Sequence, residues 1–318
     1  AIIRMFEDKD GNVWIGHYGT GISVWKKNKE KFVSFTHNPF NAESINKEVV
    51  SAIYEDAMGR IWIGQDGGGL SLFNPVSGTF EHFRSKPGTP GTLTSDVILA
   101  IIEDDNGNLL LGTYAGGLMV FDPETKKVIR SFNTSTGLAS DHVWTFFRDS
   151  KNRFWFTDLR SGYCLFDPVN ETFESHPQGN DPLSPCSNSL MTINEDAEGR
   201  LWLGSENGGI SVIDYDNQTN KTYRNNPDDP NSLSYNDVKS IIFIGHYAWI
   251  ATNGGGLNRL DLKTDSFRVF GTQNGLSSEA LMGLLKDKHN NLWRQYRRTR
   301  QERNILPSRR LCILRPSI

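Results

Sequence analysis

Short apolar runs, each stopped by Gly, Asn, Asp or Pro, return along this chain at a near-constant interval, and no stretch of eleven or more residues shows helical periodicity. One copy displays the unit. An apolar run at 49–54 meets an acidic Gly turn, Glu55 to Gly59, with the Asp-plus-Gly chemistry of a tight hairpin. Residues 60–64 predict a second strand, and the Gly-rich turn at 65–69 supplies the positive φ angles that a reversal needs. Residues 70–74 predict a third strand, Pro75 breaks it, and 79–84 predict a fourth. The middle strands are apolar on both faces (Ile61, Trp62, Ile63; Leu70, Leu72, Phe73), as a sheet covered on both sides requires.

The stretch EDAMGRIWIGQDGGGLSLFNP (55–75) returns as EDDNGNLLLGTYAGGLMVFDP (103–123), RDSKNRFWFTDLRSGYCLFDP (148–168) and EDAEGRLWLGSENGGISVID (195–214). EDKDGNVWIGHYGTGISVW (7–25) precedes these copies; AWIATNGGGLNRLD (248–261) and KDKHNNLW (286–293) follow. The marker position reads Trp14, Trp62, Leu110, Trp155, Trp202, Trp249 and Trp293, at spacings of 48, 48, 45, 47, 47 and 44 residues. Four strands at this period predict an all-β fold, a seven-bladed β-propeller of four-stranded antiparallel blades, and exclude solenoids of paired helices. The propeller is expected over 1–293, with repeats starting near 1, 47, 95, 141, 188, 236 and 279. Two kinds of connector join successive blades, long ones rich in Asn and Pro (37–46, 86–95, 225–234) and short ones of the type STGLAS (135–140) and QNGLSS (273–278).

The ED..G.(L/I)W(I/L)G...GG(L/I)..(F/I)D(P) pattern with these connectors resembles the two-component regulator propeller repeats, which build the periplasmic sensor regions of hybrid two-component systems in gut Bacteroidetes. The resemblance covers about 290 of 318 residues. It implies a second propeller, an immunoglobulin-like stalk, a membrane helix, and then histidine kinase, receiver and DNA-binding modules; none of the later parts is expected within this chain. The role implied is a non-catalytic sensor with an oligosaccharide ligand, further propeller and stalk domains of the same protein as partners, homodimerisation and a periplasmic location. Two other roles stay open: a propeller enzyme, such as a metal-dependent lyase or lactonase, and a general protein-interaction scaffold.

After Trp293 the repeat is lost. Residues 294–318 hold eight arginines and one acid, so the formal net charge of −3 is the sum of a basic tail and a body near −10. An altered reading frame or a disordered basic extension is expected there, leaving the seventh blade atypical or incomplete. Neither balance argues for nucleic acid. No apolar run approaches eighteen residues, and Ala1 opens directly into a strand-like pattern, so no anchor or signal peptide is expected in the chain, which reads as a fragment or processed product. Cys164, Cys186 and Cys312 follow no metal-like spacing and are odd in number, which argues against a disulfide framework.

Candidate chemistry is sparse. The marker tryptophans sit in buried strands and are expected in the core. The turn Asp8-Lys9-Asp10-Gly11-Asn12 fails as a calcium loop, because counting from Gly11 places Phe6 and His17 where ligands belong. The cluster Gly64-Gln65-Asp66-Gly67-Gly68-Gly69 precedes a strand rather than a helix, so it is no phosphate cradle. Neither GxSxG nor HExxH occurs, and no cofactor or catalytic residue is expected. A ring of Glu48, Asp96, Asp141, Asn188, Glu279 and either Asn236 or Asp237 recurs eight residues before the turn aspartate. Capping of the connector is its expected role, with a divalent metal as the alternative. Departures from the repeat are the better candidates, because folding requires only the constants. They are Tyr18, Asp66, Tyr114, Asp158, Arg160, Glu206 and Asn253 in the turns between second and third strands, joined by His142 and Trp144 before the fourth blade. Aromatic faces with polar forks suit sugar rings and hydroxyls.

Overall fold

The computed structural model describes residues 2–287, 292–296 and 312–314. Regular structure among them is strand, apart from 3-10 turns at Lys27–Lys29, Thr134–Thr136 and Thr272–Asn274. The strands form seven sheets, in each of which consecutive strands are neighbours and pair antiparallel.

The first sheet is Ile2–Glu7, Val13–His17, Ile22–Lys26 and Lys31–Phe35; the second is Val50–Glu55, Ile61–Gln65, Gly69–Asn74 and Thr79–Phe83. The third is Ile98–Glu103, Leu109–Thr113, Leu118–Asp122 and Lys127–Phe132; the fourth is Thr145–Arg148, Phe154–Thr157, Tyr163–Asp167 and Thr172–His176. The fifth is Leu190–Glu195, Leu201–Ser205, Ile210–Asp214 and Thr219–Tyr223; the sixth is Val238–Ile244, Tyr247–Thr252, Leu257–Asp261 and Ser266–Phe270. The seventh has three strands, Leu281–Lys286, Leu292–Tyr296 and Cys312–Leu314. Strand bounds in the second sheet fall within a residue of those expected. The last strand was not legible as a repeat: Cys312–Leu314 pairs with the preceding strand through Leu292↔Leu314, Trp293↔Ile313 and Arg294↔Cys312, without the GG(L/I)..FD motif. The rest of the tail, on which the expectation of an altered frame or disorder bears, lies outside the described residues.

Two compact units divide the described chain: Ile2–Phe147 with Leu165–Glu174, and Arg148–Cys164 with the residues from Ser175 onward. Within the first, the second residue after the marker is a glycine for a steric reason. A Cβ at Gly16 would meet Val50 Cγ1 at 2.8 Å, one at Gly64 would meet Ile98 Cγ2 at 2.8 Å, and one at Gly112 would meet Val143 Cγ1 at 2.8 Å. The first strand of the following sheet, or in the third case the residue two places before it, thus lies directly on that glycine, and a core of Trp14, Ile22, Val50, Ile63, Phe73 and Phe80 closes between the first two sheets. In the second unit Gly204 stands in the same relation to Val238, at 2.6 Å. Trp202, Ile210, Val238, Ile241, Ala248 and Ile250 close the corresponding core.

The acidic turns carry two repeated bonds. Asp56 Oδ1 accepts the Arg60 N–H at 2.8 Å, and Asp56 Oδ2 accepts the buried indole Nε1–H of Trp62 at 2.8 Å. Asp8 and Trp14, Asp149 and Trp155, Asp196 and Trp202, and Asp287 and Trp293 repeat the indole bond at 2.7–2.8 Å. The glutamate before the aspartate reaches back to the preceding sheet's turn: Glu55 accepts Lys9 N–H, and Glu103 accepts Ala57 N–H, each at 2.7 Å. In the second unit Glu195 accepts Ser150 N–H at 2.8 Å. The ED pair is therefore an architectural device, its aspartate closing its own hairpin and its glutamate linking successive ones.

Candidate functional site

The turns between second and third strands are built alike. The last residue of the second strand is a buried polar group that caps the turn: Thr113 Oγ1 donates to Gly117 O at 2.8 Å and accepts from Gly116 N–H at 3.0 Å. Ser205 with Gly208 and Gly209, and Thr252 with Gly255 and Gly256, repeat this pair of bonds. Each turn is then tied to the connector ahead of it. Gly69 N–H donates to Asp96 O at 2.8 Å, Gly117 N–H to Asp141 O at 3.0 Å, and Gly209 N–H to Asn236 O at 3.0 Å.

The recurrent acids and amides hold the connectors. Asp96 Oδ1 accepts Ser85 N–H and Asp141 Oδ1 accepts Thr134 N–H, both at 2.7 Å. Asn188 Oδ1 accepts Gln178 N–H at 2.6 Å, Asn236 Oδ1 accepts Asn225 N–H at 2.7 Å, and Glu279 Oε1 accepts the Thr272 hydroxyl at 3.2 Å. Glu48 contributes its carbonyl to Gly21 N–H at 2.9 Å. Side-chain capping is the observed work of Asp96, Asp141, Asn188, Asn236 and Glu279. Asn236 fills the sixth place, while Asp237 pairs with Lys239 at 2.7 Å and accepts Asn253 Nδ2 at 2.8 Å. Among the described residues no group of three His, Cys, Asp or Glu is placed to hold a metal.

The residue after the cap points outward, and here the sequence candidates separate. Tyr18 is 64% exposed and Tyr114 47% exposed; Asp66 and Glu206 are exposed, and Glu206 accepts the Ser189 hydroxyl at 3.1 Å. Asn253 is half-buried against Asp237. Asp158 falls one place earlier in register. Counted from its marker Trp155, it occupies the capping position of His17, Gln65 and Thr113, is only 4% exposed, and accepts the N–H groups of Arg160 at 2.6 Å and Ser161 at 3.1 Å. Arg160 is exposed, and Trp144 is half-buried.

One pair of candidates is brought together. The Tyr114 and His142 rings lie 4.4 Å apart at 37°, and His142 Nδ1 accepts the Ala115 N–H at 3.0 Å, so the neutral imidazole carries its proton on Nε2. Ala115 is held at φ 59°, where Gly19, Gly67 and Gly254 stand in other sheets. A left-handed alanine costs about 1 kcal/mol relative to glycine, and the His142 bond offsets it. Tyr114 and His142 thus offer an aromatic surface edged by a donor, chemistry suited to a polyhydroxylated ring.

The opposite ends of the strands hold a crevice of about 600 Å³ between the first and second sheets, lined by Asp8, Trp14, Glu43, Arg60, Phe73 and Glu81 among others. Charge there is used structurally. In a smaller crevice of about 250 Å³, Lys221 Nζ and the Tyr223 hydroxyl each donate to Asp265 at 2.6 Å, which holds that carboxyl below the usual carboxylate range.

The sixth sheet breaks the acidic-turn rule, and sequence reasoning missed the consequence. Gly245 and His246 make a two-residue hairpin, placing Ile244 opposite Tyr247 where other sheets have the aspartate and the residue four places on. Trp249 Nε1 is buried with no acceptor, and so is Nε of Arg259, its direct cross-strand partner. An arginine at a third-strand position that is Val24, Leu72 or Val212 elsewhere was the available signal.

The two-component regulator propeller model matches residues 1–19, 44–67 and 92–115. Among solved structures, the chain is similar to the extracellular domain of a hybrid two-component system from B. thetaiotaomicron, at 20% identity and a TM-score of 0.76 over 92% of this chain. It spans 38% of the length of that chain. PorZ, a surface component of the type-IX secretion system of Porphyromonas gingivalis, aligns at 18% identity and a TM-score of 0.69, over 92% of this chain and 45% of its own. Virginiamycin B lyase from Staphylococcus aureus aligns at 15% identity and 0.67, over 92% and 90%. No sequence among curated proteins matches. These likenesses are of fold, which hosts unrelated functions, and they establish an all-β propeller of four-stranded antiparallel blades. No helix among the described residues is long and apolar enough to cross a membrane.

Proposed function

From the premise that this chain carries two-component regulator propeller repeats, we propose that it is a non-catalytic, ligand-recognising part of the periplasmic region of a hybrid two-component system. Its ligand is an oligosaccharide, and ligand binding alters the relation between paired sensor chains. Seven blades make up the propeller, the last built on Leu281–Lys286, Leu292–Tyr296 and Cys312–Leu314. Further propeller and stalk domains of the same protein are its partners.

The observation that carries this reading is the match of three separate repeats to a family of two-component regulators. Support for a sugar ligand comes from the Tyr114–His142 pair, which departs from the repeat, presents an exposed Tyr114 beside a half-buried His142, and adjoins a strained alanine where other sheets have glycine. Backbone strain kept without a folding need is a mark of functional positions. Calorimetric titration of the chain with a panel of neutral and acidic oligosaccharides tests the reading. Saturable binding weakened roughly tenfold by Tyr114→Ala, the loss of one aromatic contact, upholds it. A chain that binds none of them yet consumes a streptogramin B would instead be an enzyme, like the lyases that share its fold.

A further inference from the structure

Three sheets close the same triad. In the second, Asp56 Oδ2 accepts Arg60 Nε–H at 2.6 Å and Trp62 Nε1–H at 2.8 Å; in the fourth, Asp149 Oδ2 accepts Arg153 Nε–H at 2.6 Å and Trp155 Nε1–H at 2.8 Å. In the fifth, Asp196 Oδ2 accepts Arg200 Nε–H at 2.7 Å and Trp202 Nε1–H at 2.8 Å. A guanidinium lies over the indole in the first two of these, 5.7 and 5.3 Å from its centroid. One carboxylate oxygen thus meets two converging donors, an indole N–H and a guanidinium Nε–H.

The sixth sheet keeps both donors and lacks the acceptor. Trp249 is 5% exposed with Nε1 unbonded, and Arg259 lies over it at 5.9 Å with Nε buried and unbonded. Arginine comes here from the third strand, crossing over Tyr247 at 4.3 Å, because Tyr247 has taken the place from which Arg60 and Arg200 reach their aspartates. Ile244 has taken the aspartate's place. Two buried donors without an acceptor, on directly paired residues, are costly and rare in native folds. A charge kept where the repeat has an aliphatic residue needs a counter-charge.

We propose that the sixth sheet is a binding site for a carboxylate, which accepts from Trp249 Nε1–H and Arg259 Nε–H in place of the missing aspartate. The occupant is a small organic acid or the carboxyl of a sugar acid; both present the same group. This site shares no residue with the Tyr114–His142 pair and does not depend on it.

Indole N–H resonances of the whole chain, labelled with ¹⁵N-tryptophan, test the site, the Trp249 signal being the one lost in Trp249→Phe. Sodium acetate and sodium glucuronate are titrated against sodium chloride at equal ionic strength and against glucose. The Trp249 signal is expected to shift saturably with both carboxylates, but with neither chloride nor glucose. Arg259→Val, which installs the residue that the fifth sheet carries at that register, should weaken binding tenfold or more, the loss of a charged hydrogen bond. Ile244→Asp, which supplies an internal acceptor, should abolish the shift. Tighter binding of glucuronate than acetate assigns a sugar acid, and equal binding assigns a small organic acid. A Trp249 signal that does not respond, responds equally to chloride, or still saturates at the same concentration in Arg259→Val overturns the proposal.

Discussion

The fifth and sixth sheets adjoin in sequence and differ most in their first turn. In the fifth, Asp196 accepts from Trp202, from Arg200 and from backbone N–H groups of its own turn. In the sixth the turn is cut to two residues, the aspartate is gone, and Trp249 is left with its donor free. Both tryptophans remain almost fully buried. The apolar contacts of the indole are therefore sufficient to place it, and the aspartate adds satisfaction of polar groups rather than position. The same pair of sheets differs at the packing glycine: Gly204 lies under Val238, whereas Ala251 fills that place in the sixth.

Asp196→Ala should give the largest loss, about 3 kcal/mol in urea unfolding, because it leaves an indole N–H and turn amides without an acceptor. In the sixth sheet Ile244 stands in the aspartate's place and accepts no such bonds, so a small effect of Asp196→Ala would break the contrast. Gly204→Ala should follow at about 1–3 kcal/mol, since a Cβ there comes 2.6 Å from Val238 Cγ1 and 2.7 Å from Thr192 Cγ2. Ala251→Gly should cost only about 1 kcal/mol, the conformational penalty of glycine in a strand. Asp265→Asn is the smallest change. Its carboxyl is held low by hydrogen bonds from Lys221 and then Tyr223, so its contribution is present above the ordinary aspartate value near pH 4 and is lost as pH falls through the lower folded value. Half-exposed and screened, the group should be worth no more than about 0.5 kcal/mol at pH 7, and wild type and variant should converge in acid near pH 2.

Strand order, turns and the core tryptophans were legible in the sequence because each repeat states them again in the same spacing. The recurrent acids were legible as caps for the same reason. What was not legible lies between repeats or in a shift of register. Glu55, Glu103 and Glu195 look like ordinary turn acids until the preceding hairpin is seen beneath them. Asp158 reads as an exposed turn residue beside Arg160, and only counting from Trp155 puts it among the buried caps. Arg259 sits in an otherwise regular strand, and its meaning depends on the absence of an aspartate fifteen residues earlier. Tyr114 and His142 were both singled out as departures, but their contact joins two successive repeats and follows from no spacing within either.

Paired unfolding of Trp202→Phe and Trp249→Phe bears most directly on the claim that the aspartate, and not the indole alone, separates these sheets. Both changes remove one N–H and some ring area. Trp202→Phe takes one of two donors from the buried Asp196 Oδ2, which keeps Arg200, and should lose about 1–2 kcal/mol more than Trp249→Phe, which deletes a donor that has no partner. Equal losses in the two variants would contradict it.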